Sequence, residues 1–295
     1  MQTRSAFIAI IGRANVGKSS LLNALINEKI AIVTDKPQTT RTRITGVLTL
    51  EETQYVFVDT PGMHQAKNRL SEHMVKAVHE SIGDVDAALL VVDAVHEPGD
   101  VEKELMESLS AKKIPAVLIL NKIDLLENKT VLIERIAQYT QLHAFAAVIP
   151  VSALQRDGVE RILDELSSFT EEGPHYFPGD TLTDQPERVI AAEILREKLL
   201  LSLSQEVPHG IAVSVERMAE REDRPILDMD AIIYCEKASH KGMVIGKNGT
   251  MLKRVASAAR EDLERFFDTK VNLQCWVKVK EDWRNREGIL RSLGL

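Results

Sequence analysis

Cysteine is scarce. Only Cys235 and Cys275 occur in 295 residues, both in apolar segments and far from any paired spacing, which argues against a disulfide framework or a thiolate metal site and for two reduced core thiols. Long apolar runs are missing as well. Nothing approaches the roughly 18 consecutive apolar residues of a membrane-spanning helix, and Met1 to Arg4 opens no signal-peptide core, so a cytoplasmic chain is expected. Positive charge is in deficit overall, at a net −7, but unevenly: residues 1–186 carry −8 and residues 187–295 carry +1. Within the second part, Lys237, Lys241, Lys247, Lys253, Arg254 and Arg260 occupy a stretch without a single acidic residue, a basic patch on an acidic protein. The length predicts about two domains, each large enough to bury its own core.

What the chain does contain is Gly12-Arg13-Ala14-Asn15-Val16-Gly17-Lys18-Ser19, a match to the phosphate-cradling pattern GxxxxGK[ST]. The apolar run Ala6 to Ile11 before it reads as a buried strand, and Leu21, Leu22, Ala24 and Leu25 after it fall at helical spacing. The loop therefore sits at a helix N-terminus, where backbone N–H groups and the helix dipole favour a phosphate. Gly12 and Gly17 let the backbone close on an anion; Lys18 is expected to reach the β- and γ-phosphates, and the Ser19 hydroxyl to coordinate Mg²⁺.

Helical and strand-like stretches alternate to about residue 170, which predicts an α/β domain with a mostly parallel sheet and helices on both faces. Strands are expected at 6–11, 44–50, 54–58, 86–92, 115–120 and 146–150, and helices at about 18–28, 70–82, 100–111, 128–142 and 157–169. Ligands of such sheets lie beyond the carboxyl ends of the strands, and further motifs fall there. The polar stretch Thr34 to Arg43 reads either as a switch whose Thr40 hydroxyl completes a Mg²⁺ shell, or as an ordinary surface loop. The strand Tyr55 to Val58 delivers Asp59-Thr60-Pro61-Gly62, an aspartate placed to hold Mg²⁺ through a water and a glycine N–H placed to meet a γ-phosphate. At the end of Ala116 to Leu120 stands Asn121-Lys122-Ile123-Asp124. Guanine offers two adjacent donors that a carboxylate accepts as a pair and adenine does not, so Asp124 is expected to select guanine. Lys122 packs its stem along the loop or base, Asn121 ties the loop to the phosphate side, and the Ala153 N–H of Val151-Ser152-Ala153 faces guanine O6.

From Glu171 to Pro186 three prolines and two glycines with little apolar content mark a linker. A second domain follows over 187–295: an amphipathic helix from Val189 to Leu200, strands at 211–218 and 231–235, a helix from about Thr250 to Phe267, and a strand from Val271 to Val279. Gly246-Lys247-Asn248-Gly249 lies between apolar Val244-Ile245 and the long helix, inside the acid-free stretch. In helix–strand–strand–helix–helix–strand order this resembles a type II K-homology (KH) domain, in which such a loop clamps single-stranded nucleic acid. Gly246 and Gly249 would permit close phosphate approach, with Lys247, Asn248, Lys241, Lys253 and Arg254 as the surrounding contacts; a plain helix–turn–helix with solvated lysines fits the same residues. Trp276 and Trp283 could stack on bases, but aromatic residues in a strand and before a helix are more often core, so no site is assigned to them.

The composite GRANVGKS, PQTTR, DTPG, NKID and VSA resembles the signature motifs of the translation-factor-related GTPases. With the C-terminal half, the whole chain resembles the Era group of that class, the TrmE-Era-EngA-like GTPases. The resemblance implies a GTPase domain at 1–170, a linker at 171–186 and a KH domain at 187–295. It further implies hydrolysis of GTP to GDP and binding near the 3′ end of 16S rRNA. A role in 30S ribosomal subunit assembly, a monomeric state and peripheral contact with the inner membrane face also follow from it. Two positions depart from neighbouring families. Ala14 stands where the family usually has proline, and Met63 stands where signalling GTPases carry a glutamine that orients the attacking water, the Era group having an apolar residue there. Met63 has no useful polar atom, so slow intrinsic turnover is expected and another group must assist. Relatives that share Asn15 use its side-chain oxygen to hold a potassium ion; the residue also fits a plain backbone hydrogen-bonding role. On this reading the catalytic set is Lys18, Thr40, Gly62 and Asn15. A P-loop ATPase or kinase with an unrelated second module, and a regulatory GTPase whose second domain binds protein, are the competing readings.

Overall fold

The computed structural model describes residues 2–63, 68–83, 85–204 and 207–295. Contacts divide the chain into a first unit of Met1–Ala31, Thr40–Lys67 and Ser71–Asp184, and a second of Ile32–Thr39, Asn68–Leu70 and Gln185–Leu295.

The first unit is built on β1 (Arg4–Ile11), β2 (Ile44–Leu50), β3 (Thr53–Asp59), β4 (Ala87–Asp93), β5 (Ala116–Asn121) and β6 (Ala147–Pro150). Its helices are α1 (Lys18–Ile26), α2 (Arg69–Ser81), α3 (Asp100–Lys112), α4 (Lys129–Leu142) and α5 (Val159–Leu166). The sheet order is β2-β3-β1-β4-β5-β6, with β2 antiparallel to β3 and the remaining neighbours parallel. Every residue of β4 and β5 is buried, as strands covered on both faces require. The two-residue period sends Ile8 and Ile10 of β1 into one apolar layer with α1 and α5. Ala9 and Ile11 enter the other, with α2, α3 and α4. Helices therefore cover both faces, as the alternating pattern predicts.

Most of the stretch read as a linker is pinned to this sheet. A short strand β7 (Glu171–Glu172) pairs antiparallel with the start of β1. Gln54 Oε1 accepts from the Tyr176 and Phe177 N–H groups at 2.8 and 3.0 Å, and Thr183 Oγ1 donates to the Thr45 carbonyl at 2.6 Å. Proline and glycine content reports backbone conformation and says nothing of a distant acceptor such as Gln54.

In the second unit α6 (Glu187–Ser202) is followed by β8 (Ile211–Glu220), β9 (Ile226–Cys235), α7 (Ala238–Ile245), α8 (Thr250–Phe267), β10 (Lys270–Val279) and α9 (Glu287–Ser292). The three strands order β10-β9-β8, with β9 parallel to β10 and antiparallel to β8. Strand β9 begins five residues before the expected 231. Leu227 and Met229 continue the buried face of Ala231, Ile233 and Cys235, while Asp228 on the opposite face is held by Arg221 at 2.7 and 2.9 Å and by Asn272 at 2.7 Å. Two aspartates at alternate positions disguised the strand. Trp283 is fully buried and donates from Nε1 to the Gly210 carbonyl at 3.0 Å. Trp276, expected in the core, is 45% exposed, because its odd-even position on β10 places it on the face opposite Val271 and Val277.

Candidate functional site

The loop between β1 and α1 folds around glycine at two positions. Gly12 has φ +151° and Gly17 φ +97°. A Cβ on Gly12 would collide with the Val91 carbonyl and one on Gly17 with the Asn121 side chain, so both close approaches require glycine. Lys18, 5% exposed, arches back over the loop and donates to the Gly12 and Arg13 carbonyls at 3.1 and 2.9 Å. Burial lowers its pKa to about 8, with the Asp59 charge pulling the other way. Asn15 takes the left-handed conformation at φ +63°. Arg13 pairs with the buried Glu102 carboxylate of α3 at 3.4 Å, and Glu102 also accepts from the Gly99 N–H at 3.0 Å.

Three oxygen-bearing side chains from separate parts of the chain meet beside this loop. Ser19 Oγ donates to Asp59 Oδ2 at 2.7 Å and lies 2.8 Å from Thr40 Oγ1. Asp59 is fully buried, and its second oxygen, Oδ1, has no hydrogen-bond partner among the described residues. Burial raises the Asp59 pKa to about 6 against the opposing pull of Lys18, Ser19 and the Thr60 N–H. Thr60 serves the frame: its hydroxyl donates to the Ile10 carbonyl at 2.9 Å and clamps the end of β3 to β1. Pro61 is buried, and a Cβ on Gly62 would stand 2.5 Å from Ala14 Cα. Met63 donates its N–H to the Gly12 carbonyl at 3.2 Å while its side chain, 5% exposed, joins the apolar layer with Ile11 and Val92.

The tips of β5 and β6 are laced to the same loop. Asn121 Nδ2 donates to the Val16 carbonyl at 2.8 Å. The Ala153 N–H, expected to face guanine O6, donates instead to Asn121 Oδ1 at 3.0 Å; a buried amide oxygen otherwise lacking a donor takes it. Ser152 Oγ donates to Asp124 Oδ1 at 2.5 Å, and the Ile123 N–H to the Val151 carbonyl at 3.2 Å. Lys122 adopts φ +65° and places its ammonium 2.9 Å from Asp93 Oδ2 at the tip of β4. Asp93 and Glu102 were missed in the sequence. Asp93 could have been found by the rule that singled out Asp59, an acid ending an apolar strand; Glu102 carried no local signal.

In the second unit the turn between α7 and α8 sits at the surface. Gly246 has φ +74°, Asn248 φ +52° and Gly249 φ +76°, and a Cβ on Gly246 would lie 2.6 Å from Met251 Cβ. Lys241, Lys247, Asn248, Lys253 and Arg254 are all exposed on this turn and the flanking helices. Thr250 Oγ1 donates to the Lys247 carbonyl at 2.9 Å, tying the turn to the start of α8.

A family model described as a 50S ribosome-binding GTPase matches residues 7–122, and one described as a KH domain matches residues 206–284. The GTPase Era of Ruminiclostridium cellulolyticum is 50% identical over 294 residues, covering 100% of this chain and 98% of that protein. The GTPase Era of Clostridioides difficile is 47% identical over 291 residues, covering 99% and 98%. Among solved structures, an Era in complex with MgGDPNP and nucleotides 1506–1542 of 16S ribosomal RNA is 32% identical, with 99% of each chain covered and a TM-score of 0.95. A variant Era of Aquifex aeolicus bound to GDP and aluminium fluoride gives the same identity and TM-score over 100% and 99%. Half of all positions are shared with one Era GTPase from end to end, and on that ground the chain belongs to the Era family of GTPases.

Proposed function

We propose that residues 1–170 bind GTP and hydrolyse it to GDP and phosphate, that 171–186 connect, and that the KH domain of 187–295 binds RNA under control of the nucleotide state. The observation that carries the reading is the meeting of Ser19, Thr40 and Asp59 beside Lys18. Two hydroxyls and a carboxylate are the hard oxygen donors that Mg²⁺ prefers, and Asp59 Oδ1, without a partner among the described residues, leaves a lone pair for it. Bound there, Mg²⁺ supplies positive charge against the β- and γ-phosphate oxygens. Lys18 keeps its proton at neutral pH with a pKa of about 8, and an arriving phosphate adds to the counter-charge that Asp59 alone gives this desolvated cation. Thr40 reports the γ-phosphate through the loop that carries it, and the Gly62 N–H does so through the segment after β3. At the base, Asp124 accepts the paired guanine donors while Ser152 fixes its carboxylate.

The KH turn, with exposed Lys247 and the glycines around it, suits a phosphate backbone. The solved Era that holds nucleotides 1506–1542 of 16S ribosomal RNA supports the 3′ end of 16S rRNA as the target. Kinship with Era extends the reading to 30S subunit assembly, a monomeric chain and a cytoplasmic location with peripheral contact at the membrane. No described helix is long and apolar enough to cross a membrane. The test has two arms: GTP but not ATP should displace a fluorescent GDP from the purified protein, and crosslinking in cells should recover the 3′ end of 16S rRNA. Displacement by both nucleotides, or recovery of unrelated RNAs alone, rejects the reading.

Potassium belongs to the same proposal. With Met63 buried in the apolar layer, no side chain at that position orients water, and charge between the β- and γ-phosphates needs another offset. Asn15, in the loop at φ +63°, is the residue we assign to a K⁺ ion there. GTP hydrolysis should then be faster in K⁺ than in Na⁺ at matched ionic strength, and Asn15→Ala should erase the difference while nucleotide affinity stays largely intact. Equal rates in the two salts with Mg²⁺ saturating would reject the ion.

A further inference from the structure

Strands β4 and β5 run parallel, and their last residues, Asp93 and Asn121, are register partners. The residue after Asn121 is Lys122, whose ammonium donates to Asp93 Oδ2 at 2.9 Å. Asp93 is only 6% exposed. Its other oxygen, Oδ1, accepts the Val95 N–H at 2.9 Å, and His96 Nδ1 stands 3.5 Å from Oδ2. The carboxylate is thus anchored by its own turn through Oδ1, while Oδ2 faces the Lys122 ammonium and the His96 ring. The strand tips are tied again by the Ala94 N–H, which donates to the Asn121 carbonyl at 2.9 Å.

We propose that Asp93 is a positioning residue for nucleotide binding: by holding the Lys122 ammonium, it fixes the lysine's aliphatic stem as a rigid wall of the base site. The inference rests on the reading of Asn121 to Asp124 as the guanine-recognition loop. A free lysine carries rotamer entropy that packing against a base would remove; an ammonium already tied to a buried carboxylate has lost much of it before the nucleotide arrives. Burial alone would raise the Asp93 pKa, but Lys122, the Val95 N–H and His96 outweigh it and hold the carboxyl below its ordinary value, so the anchor is charged. Among the described residues the hydrogen bonds and ion pairs of these two side chains run to each other, to the Val95 N–H and to His96, and none to the phosphate loop, which separates their effect from the chemistry of hydrolysis.

The competing role for Asp93 is to cap the turn at Val95 and no more. Asp93→Asn distinguishes the two, because an amide oxygen still accepts from Val95 while the charge facing Lys122 is gone. GDP release from Asp93→Asn should be about tenfold faster, the scale of one charge-assisted hydrogen bond, with kcat at saturating GTP unchanged. In a Lys122→Met background, which keeps a stem without an ammonium, the same substitution should change release by less than about twofold. An equal factor in both backgrounds, or none in the wild-type background, overturns the proposal. Should Asp93→Asn fold poorly, Asp93→Ser also offers an acceptor to Val95 and carries the same expectations. Lys122→Ala separates this idea from its foundation. If it leaves GDP release untouched, the reading of the loop fails and this inference with it; if it speeds release while Asp93→Asn does not, only this inference fails.

Discussion

Asp124→Asn is expected to weaken GTP binding by about 10⁴-fold and to create binding of xanthosine triphosphate. A carboxylate accepts from the guanine N1–H and amino groups together; an amide puts one donor against those donors and leaves a buried pair unsatisfied, a mismatch worth about that factor. Xanthine carries a carbonyl where guanine carries the amino group, so an amide donor meets an acceptor. The geometry favours a clean result. Ser152 Oγ donates to Asp124 Oδ1 at 2.5 Å, and the amide oxygen of asparagine can take the same bond, leaving the nitrogen directed toward the base. Titration of the variant with fluorescent GTP and XTP analogues reads both halves of the prediction. Unchanged GTP affinity would remove the base-reading role from Asp124.

Replacing Lys247 and Asn248 together by aspartate should abolish RNA binding, at least about 10²-fold, without altering GTP affinity. Both side chains are exposed on the α7–α8 turn, so the substitution removes one countercharge and adds two like charges where a phosphate backbone would lie. Asn248 sits at φ +52°, a conformation aspartate tolerates nearly as well as asparagine, so the fold has little reason to suffer. Filter binding to an oligonucleotide covering the 16S 3′ end measures the loss, and an unchanged melting temperature certifies the fold. RNA binding at the wild-type level would place the interface elsewhere.

Much of this architecture was legible because its code is local. Strands β4 and β5 appear as unbroken apolar runs, since both their faces are covered, and the loop glycines appear because positive φ and close approach demand them. The α/β alternation, the phosphate loop and the turn between α7 and α8 all follow from patterns contained within single short stretches of chain. Reading failed where a residue's role is set by a partner far along the chain. Strand β9 was cut short because Asp228 looks like a breaker until Arg221 and Asn272 are beside it. The same distance hid Gln54, whose amide holds Tyr176 and Phe177 of the presumed linker.

The sequence by itself determined which residue types stand at the tips of the strands around the β1–α1 loop and what chemistry each is competent for: glycines to turn, a lysine with a charge to offer, two hydroxyls and an aspartate with hard oxygens, a second aspartate with a pair of acceptors. Only the tertiary structure decided how those groups are spent. It engaged the Ala153 N–H with Asn121, left Asp59 Oδ1 in a fully buried position without a partner among the described residues, and set Asp93 against Lys122. The physical reason is that hydrogen-bond capacity belongs to the residue, whereas its saturation depends on which donors and acceptors the folded sheet brings within about 3 Å. No periodicity or motif records that, because the partners are joined by strand order and not by spacing.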